Sequence, residues 1–163
     1  MEDKGECMKK TFKKQILIAH GVNLDLLGQR EPEIYGTASL VSIEADLRRL
    51  NPGLAQVFAI EAAELSFYQS NHEGQFLDKL SEGWDGAVIN PGAWTHTSLA
   101  LADRLAGLEL PFSEVHLSNI AKREAFRHHS YSAPHAIGVC FGFGVASYVC
   151  GLSGLYAFFA KQP

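Results

Sequence analysis

Apolar runs that stop abruptly at chemistry-bearing segments constrain this chain more than any other feature. Ile16-Leu17-Ile18-Ala19 ends at His20-Gly21-Val22-Asn23, and the chain then reaches Arg30-Glu31-Pro32-Glu33-Ile34-Tyr35-Gly36. Leu65-Ser66-Phe67-Tyr68 ends at Gln69-Ser70-Asn71-His72-Glu73-Gly74. Ala87-Val88-Ile89 ends at Asn90-Pro91-Gly92-Ala93-Trp94-Thr95-His96-Thr97-Ser98. Phe112-Ser113-Glu114-Val115-His116-Leu117 ends at Ser118-Asn119, with Arg123 and Arg127 close behind. Short apolar runs bounded by polar turns read as strands buried on both faces. Ligands of open parallel sheets bind beyond the carboxyl ends of the strands. Function is therefore expected where the runs stop.

Between the runs the pattern turns helical. Strands are expected near 15–19, 64–68, 86–90, 112–116 and 136–141. Ser39 can cap a helix over about 40–50, with Leu40, Ile43, Leu47 and Leu50 at helical spacing. Asn51-Pro52-Gly53 should end it, and 54–62 reads equally as a second helical piece or a strand. Further helices are expected over 72–82, 97–107, 120–127 (a short one) and 145–159. Strands alternating with helices predict right-handed crossovers and helices on both faces of one sheet. The fold class is α/β, a flavodoxin-like three-layer sandwich with a five-stranded parallel sheet. Residues 1–14 read as a frayed polar tail rich in lysine, without the apolar centre of a secretory signal. Residues 15–163 read as a single catalytic domain.

Composition narrows the partners. A net charge of -4 leaves no electrostatic footprint for nucleic acid. Ile137 to Ala160 carries no charge, yet five glycines punctuate it. It reads as a buried strand, a turn and a buried helix, not a membrane span. Cys7, Cys140 and Cys150 are too few and oddly spaced for a disulfide framework or a zinc site. Cys140 and Cys150 read as buried, inert thiols in a reducing compartment, which points to the cytoplasm. His128 and His129 lack companions at metal spacing. No phosphate loop, dinucleotide fingerprint, serine-nucleophile elbow or well-placed lysine is present.

The polar segments offer acid–base chemistry instead. In a strand, residues two apart share a face, so Glu114 and His116 can address one site. A carboxylate fixes an imidazole tautomer, which makes His116 a general acid or base; the alternative is a core histidine bonded to its neighbour. Two readings of Tyr35 stand, an amphipathic surface tyrosine and a tyrosinate base. The second needs its phenol lowered by ~3 pKa units, or ~4 kcal/mol, which Arg30 and Arg123 are placed to supply. Leu117 and Ser118 open the short helix with backbone N–H groups suited to an anion. Arg123 and Arg127, four apart, fall on one helical face and need something negative or polar between them. Asn90, His96 and Ser98 sit in a loop where turn chemistry is the competing account, and Trp94 would wall His96 from solvent.

These segments resemble the type II 3-dehydroquinate dehydratases (type II dehydroquinases) over roughly Ile16 to Tyr156. The segments that carry the resemblance run from Gly21 to Leu24, Leu27 to Gly36, Gln69 to Gly74, Asn90 to Ser98, Glu114 to Ile120 and Arg123 to Ser130. The resemblance implies a lyase that dehydrates 3-dehydroquinate to 3-dehydroshikimate by reversible anti elimination through an enolate, in the shikimate pathway of aromatic amino acid biosynthesis or in quinate metabolism. It implies that Tyr35 removes the proton alpha to the ketone, with Arg30 and Arg123 lowering its pKa. Asn23 would hold a water against the enolate. His116, oriented by Glu114, would protonate the leaving hydroxyl. Asn90, Leu117 and Ser118 would bind the substrate carboxylate, His96 and Arg127 the ring hydroxyls, and Asp103 would reach a neighbouring subunit's site. It further implies no cofactor or metal, and a homo-oligomer of trimers building to a dodecamer. His20 and Val22 stand where the family usually has Asn and Pro, Ala102 replaces a common Arg, and 51–62 is longer than usual. These departures motivate a second reading, a flavodoxin-like binding or assembly protein whose site has drifted.

Overall fold

The computed structural model describes residues 13–29 and 38–162. Five strands, β1 (Gln15–His20), β2 (Glu64–Gln69), β3 (Gly86–Asn90), β4 (Phe112–His116) and β5 (Gly138–Phe141), form one sheet. All pairings are parallel, in the order β2-β1-β3-β4-β5. The crossovers are α1 (Leu40–Val57), α2 (Glu73–Leu80) and α3 (Leu99–Leu108), and α4 (Ala146–Phe159) closes the chain.

Strand alternation sorts the core into two layers. Ile16, Ile18, Val88 and Val115 face Ile43 and Leu47 of α1 and Tyr148, Leu152 and Leu155 of α4. Leu17, Ala19, Ala87, Ile89 and Phe112 face Phe76 and Leu80 of α2 and Leu101 and Leu105 of α3. Each such large side chain contributes roughly 1.5–3 kcal/mol when fully buried. The strand order reverses direction between β1 and β3, so a crevice opens at their carboxyl ends. Asn23 follows β1 and Asn90 ends β3 at that point.

Four sequence expectations are corrected here. The helix capped by Ser39 does not end at Asn51-Pro52-Gly53; α1 runs on to Val57 with Pro52 inside it. An internal proline costs a helix about 3 kcal/mol. Tertiary bonds offset that cost. Asn51 is buried and donates to the Ala63 carbonyl at 2.8 Å. Its carboxamide oxygen accepts from the Tyr156 hydroxyl, which in turn accepts from the Ala63 N–H at 3.0 Å. The helix stops instead at Ala59, which adopts a left-handed φ of 55°, with Ile60 N–H donating to the Ala55 carbonyl in a Schellman closure.

Residues 120–127 form two separate 3-10 turns, Ile120–Lys122 and Ala125–Arg127, not one helix. Arg123 lies between them with an extended backbone, so helical spacing does not bring it beside Arg127. The strand near 137–141 is not buried, since Ile137 and Val139 are 38% and 41% exposed. β5 pairs only with β4 and forms a sheet edge, so apolar sequence there does not mean burial. Nor are the thiols deeply enclosed: Cys150 is exposed and Cys140 half-buried. At the other terminus, residues 1–12 of the expected tail lie outside the described residues, and the Lys14 carbonyl accepts from Glu64 N–H at 2.8 Å. No helix among the described residues is long and apolar enough to cross a membrane.

Candidate active site

The carboxyl end of β4 supplies the most enclosed polar group. Glu114 is fully buried, and burial alone would raise its pKa. Hydrogen bonds and charge reverse the balance and hold the carboxyl below its ordinary value. His116 Nε2 bonds Glu114 Oε1 at 2.8 Å. Ser132 donates to Oε2 at 2.6 Å and Thr95 to Oε1 at 2.7 Å. Ser130 approaches Oε1 at 3.3 Å and also bonds Thr95 at 2.6 Å. A buried carboxylate with this many donors stays ionised and locks the ring it touches. With Nε2 engaged by Glu114, Nδ1 is the ring nitrogen of His116 left for another partner.

β3 and its following loop form the next wall. Asn90 is buried, and its Oδ1 accepts from Gly92 N–H at 3.2 Å. His96 Nδ1 donates to the His129 carbonyl at 2.7 Å, leaving Nε2 as acceptor. Burial is the largest of the influences that lower the His96 pKa. Its ring lies nearly parallel to that of His116, with centroids 6.4 Å apart. Trp94 does not wall this site; it turns into the core against Phe76, with centroids 5.2 Å apart. Ser98 caps α3 by accepting from Leu101 N–H at 2.8 Å, which is the turn-chemistry outcome.

The β1 loop is held against the β3 loop by backbone approach. A Cβ on Gly21 would sit 2.4 Å from the Pro91 carbonyl oxygen. Gly92, at φ +61°, faces the Val22 carbonyl, which its Cβ would meet at 2.7 Å. Only glycine allows both crossings. Asn23 adopts a left-handed φ of 63°, a conformation asparagine tolerates. Asn71 Oδ1 accepts from Asn23 N–H at 2.8 Å and from Gln69 Nε2 at 3.0 Å. The segment after β2 thus buttresses the loop after β1.

On the remaining side, Glu124 lies between the two arginines. Its carboxylate is 3.4 Å from Arg123 Nε and accepts from Arg127 Nε at 3.0 Å. This is the negative group that the arginine pair was expected to need. The exposed carboxyl is held below its ordinary value, first by its own backbone N–H and then by both guanidinium groups.

Asn23, Asn90, His96, His116, Leu117, Ser118, Arg123 and Arg127 line one cleft, with Glu114 directly behind His116. Asp103 does not line it; it is exposed on α3. Tyr35 and Arg30 lie outside the described residues. Sequence reasoning missed Thr95, Ser130 and Ser132 as the hydroxyl shell of Glu114, and Gln69 and Asn71 as the support of Asn23. Their clustering in polar segments was a signal, but which carboxylate or amide they serve depends on the fold. Among the described residues, no group of three or more His, Cys, Asp or Glu side chains could hold a metal ion.

The chain is similar to known proteins over most of its length. The family model described as Dehydroquinase class II matches residues 14–156. The 3-dehydroquinate dehydratase of Synechococcus sp. (strain CC9605) is 50% identical over 143 residues, which cover 86% of this chain and 93% of that protein. The 3-dehydroquinate dehydratase 1 of Ralstonia nicotianae is 48% identical over 141 residues, covering 84% and 86%. The type II dehydroquinase structure from Butyrivibrio crossotus DSM 2876 matches with a TM-score of 0.78 at 38% identity, covering 88% of this chain and 97% of that one. A 2-1-3-4-5 parallel sheet with His116 and Glu114 at its switch-side cleft, carried by a sequence matched from residue 14 to 156, makes this chain a member of the class II dehydroquinase family.

Proposed function

We infer that this protein is a lyase that dehydrates 3-dehydroquinate to 3-dehydroshikimate through an enolate. The observation that carries the reading is His116, fixed by a buried, ionised Glu114 and facing the same cleft as Asn23, Asn90, His96 and Arg127. The reaction needs a base for the proton alpha to the ketone, a stabiliser for the enolate oxygen and an acid for the departing hydroxyl. Glu114 offers His116 a defined ring orientation and a nearby negative charge, which suit the acid. Asn23 presents an amide to the cleft that can bind a water against the enolate oxygen.

Tyr35 is the base in this reading and Arg30 its activator, both by resemblance of the segment that holds them. Arg123 stands at the rim of the cleft, where a guanidinium favours a phenolate brought beside it. The Tyr35 phenolate takes the alpha proton, the enolate collapses, and the leaving hydroxyl departs as water with the His116 proton. Asn90 and the N–H groups of Leu117 and Ser118 hold the substrate carboxylate, and His96 and Arg127 the ring hydroxyls. Asp103, exposed on α3, completes the site of an adjacent subunit in a trimer that builds to a dodecamer. A cytoplasmic location follows from the reducing compartment read from the cysteines.

Purified protein given 3-dehydroquinate should raise the near-ultraviolet absorbance of a conjugated enone, and Tyr35→Phe should abolish that rise while substrate still binds. A flat trace from the unaltered protein defeats the lyase reading. Near-normal turnover by Tyr35→Phe removes the tyrosine from the mechanism.

A further inference from the structure

The mechanism above makes a demand on Glu114 that His116 cannot meet throughout a turnover. A carboxylate only accepts hydrogen bonds, so the hydrogen in their 2.8 Å contact belongs to His116 Nε2 whether the ring is charged or neutral. A proton given to the departing hydroxyl therefore leaves from Nδ1, and the ring becomes neutral. Until the ring is protonated again, Glu114 is a fully buried negative charge with no counter-charge bonded to it. A lone charge in such a place is costly and draws a proton to itself.

Three hydroxyls from two other segments stand around it. Thr95 comes from the loop after β3, and Ser130 and Ser132 from the segment before β5. Thr95 and Ser132 are enclosed like Glu114 itself, at 0% and 1% exposure. Each hydroxyl has one hydrogen. Thr95 gives its hydrogen to Oε1 at 2.7 Å and Ser132 gives its own to Oε2 at 2.6 Å. Ser130 then donates to Thr95 Oγ1, the nearest of its hydroxyl and carboxylate partners at 2.6 Å, while its oxygen accepts from Ala133 N–H at 2.9 Å. Tyr131 N–H donates to the Thr95 carbonyl at 2.8 Å and ties the two segments together. Oε2, the oxygen opposite the one His116 bonds, thus has a donor of its own. Burial raises the carboxyl pKa; the bond and charge of His116, then the bonds from Ser132 and Thr95, more than reverse it. The sheet neighbours of Glu114, Ile89 and Val139, are apolar. The titratable and charged groups around it are His116, His96 of the β3 loop, and Arg123 and Arg127 in the cleft.

We propose that Thr95 and Ser132 are positioning residues that act through Glu114: their hydroxyls hold its negative charge while His116 is neutral, so the carboxylate keeps the ring in place for the next proton. Ser130 aligns Thr95 and acts one step further out. In the step itself the C–O bond breaks, the Nδ1 proton goes to the leaving oxygen, and water departs. Glu114 neither gains nor loses a proton. With an aliphatic residue at position 95 or 132, the neutral-ring state collapses: Glu114 takes up a proton, and the ring loses its fixed tautomer. This rests on the reading of His116 as the acid.

The test pairs an infrared pH titration with steady-state kinetics on 3-dehydroquinate, and thermal melts establish folding. The infrared signal is the C=O stretch of a protonated carboxylic acid, assigned to Glu114 by its loss in Glu114→Gln. In wild type its midpoint should lie below pH 4.5. Thr95→Val and Ser132→Ala should each raise that midpoint by about one pH unit. Ser130→Ala should raise it less, and Thr95→Ser should keep the wild-type midpoint. In Thr95→Val and Ser132→Ala the acid limb of kcat should move with the band, kcat at pH 7 should fall roughly tenfold, and KM should stay within about twofold. Lost activity with the band unmoved would make the hydroxyls packing groups. A band that moves without the kcat limb would take them out of the mechanism. Either result, or Thr95→Ser behaving like Thr95→Val, overturns the proposal while the acid reading survives. Near-normal turnover by His116→Ala defeats the acid reading and the proposal with it. Should one of Thr95→Val and Ser132→Ala not fold, the other answers the same question.

Discussion

Two glutamates stand on opposite sides of the cleft and are handled in opposite ways. Glu114 is fully buried, and three hydroxyls and an imidazole surround it. Glu124 is half open to solvent and lies between Arg123 and Arg127. The first arrangement is dry and stiff, so water and salt cannot substitute for its partners. The second is wet, so salt screens its ion pairs and each is worth about 0–1 kcal/mol. The β4 side can therefore hold a proton donor in one orientation before a ligand arrives. The arginine side supplies charge that can adjust when a ligand arrives.

The sharpest way to break the contrast is to remove only the buried charge. Glu114→Gln keeps the shape but frees the tautomer of His116, and kcat should fall by roughly 10²–10³-fold, the scale of general acid–base catalysis. KM should change little, and a kcat within a factor of three of wild type would mean the carboxylate does not act through the ring. Next comes the backbone crossing that places Asn23. Gly21→Ala puts a methyl 2.4 Å from the Pro91 carbonyl oxygen. Chemical denaturation should show a loss of roughly 1–3 kcal/mol, together with lower turnover, and an unchanged midpoint would show that the loops separate freely.

Acidification probes the dry side in a second way. His20 has a folded pKa of about 4 against 6.5 for an ordinary histidine, so below pH 6.5 the unfolded chain binds a proton that the folded one does not. Stability should fall from pH 6.5 to about 4 by about 3 kcal/mol, and His20→Asn should flatten that slope. Glu114 acts the same way lower down. Its carboxyl is held below the ordinary 4.5, so its contribution is complete above that pH and is lost as pH falls through the folded value. A wild-type profile level between pH 6.5 and 4.5 would contradict the buried neutral histidine. The smallest effect belongs to the wet side. Glu124→Gln should change KM by only about two- to threefold at low salt, and the difference should shrink at high salt; a salt-independent change would mean the arginines are held by more than charge.

The sheet was legible because its determinants are local. Each strand is an apolar run with turn residues after it, and observed limits such as Gly86–Asn90 and Phe112–His116 coincide with those expected. Ser39 was readable as a cap because it accepts from Ser42 N–H three residues on, at 3.2 Å. Pro52 misled because helix continuation there depends on Asn51 reaching Ala63 and Tyr156. The 120–127 segment misled because arginines four apart suggest a helix, whereas the chain there folds as two separate turns. Trp94 misled because a sequence does not say toward which layer a loop aromatic turns.

For the site, residue identities came from the sequence and their partnerships came from the fold. The order of apolar runs and polar segments determined a parallel α/β sheet with chemistry at the strand ends, since period and turn propensity act over a few residues. Tertiary structure alone decided that Thr95, Ser130 and Ser132 converge on Glu114, that Asn71 supports Asn23, and that the Tyr148 hydroxyl meets His20 Nδ1. Those contacts join residues from 16 to 128 positions apart, and closing such separations depends on the whole packed core rather than on any local preference.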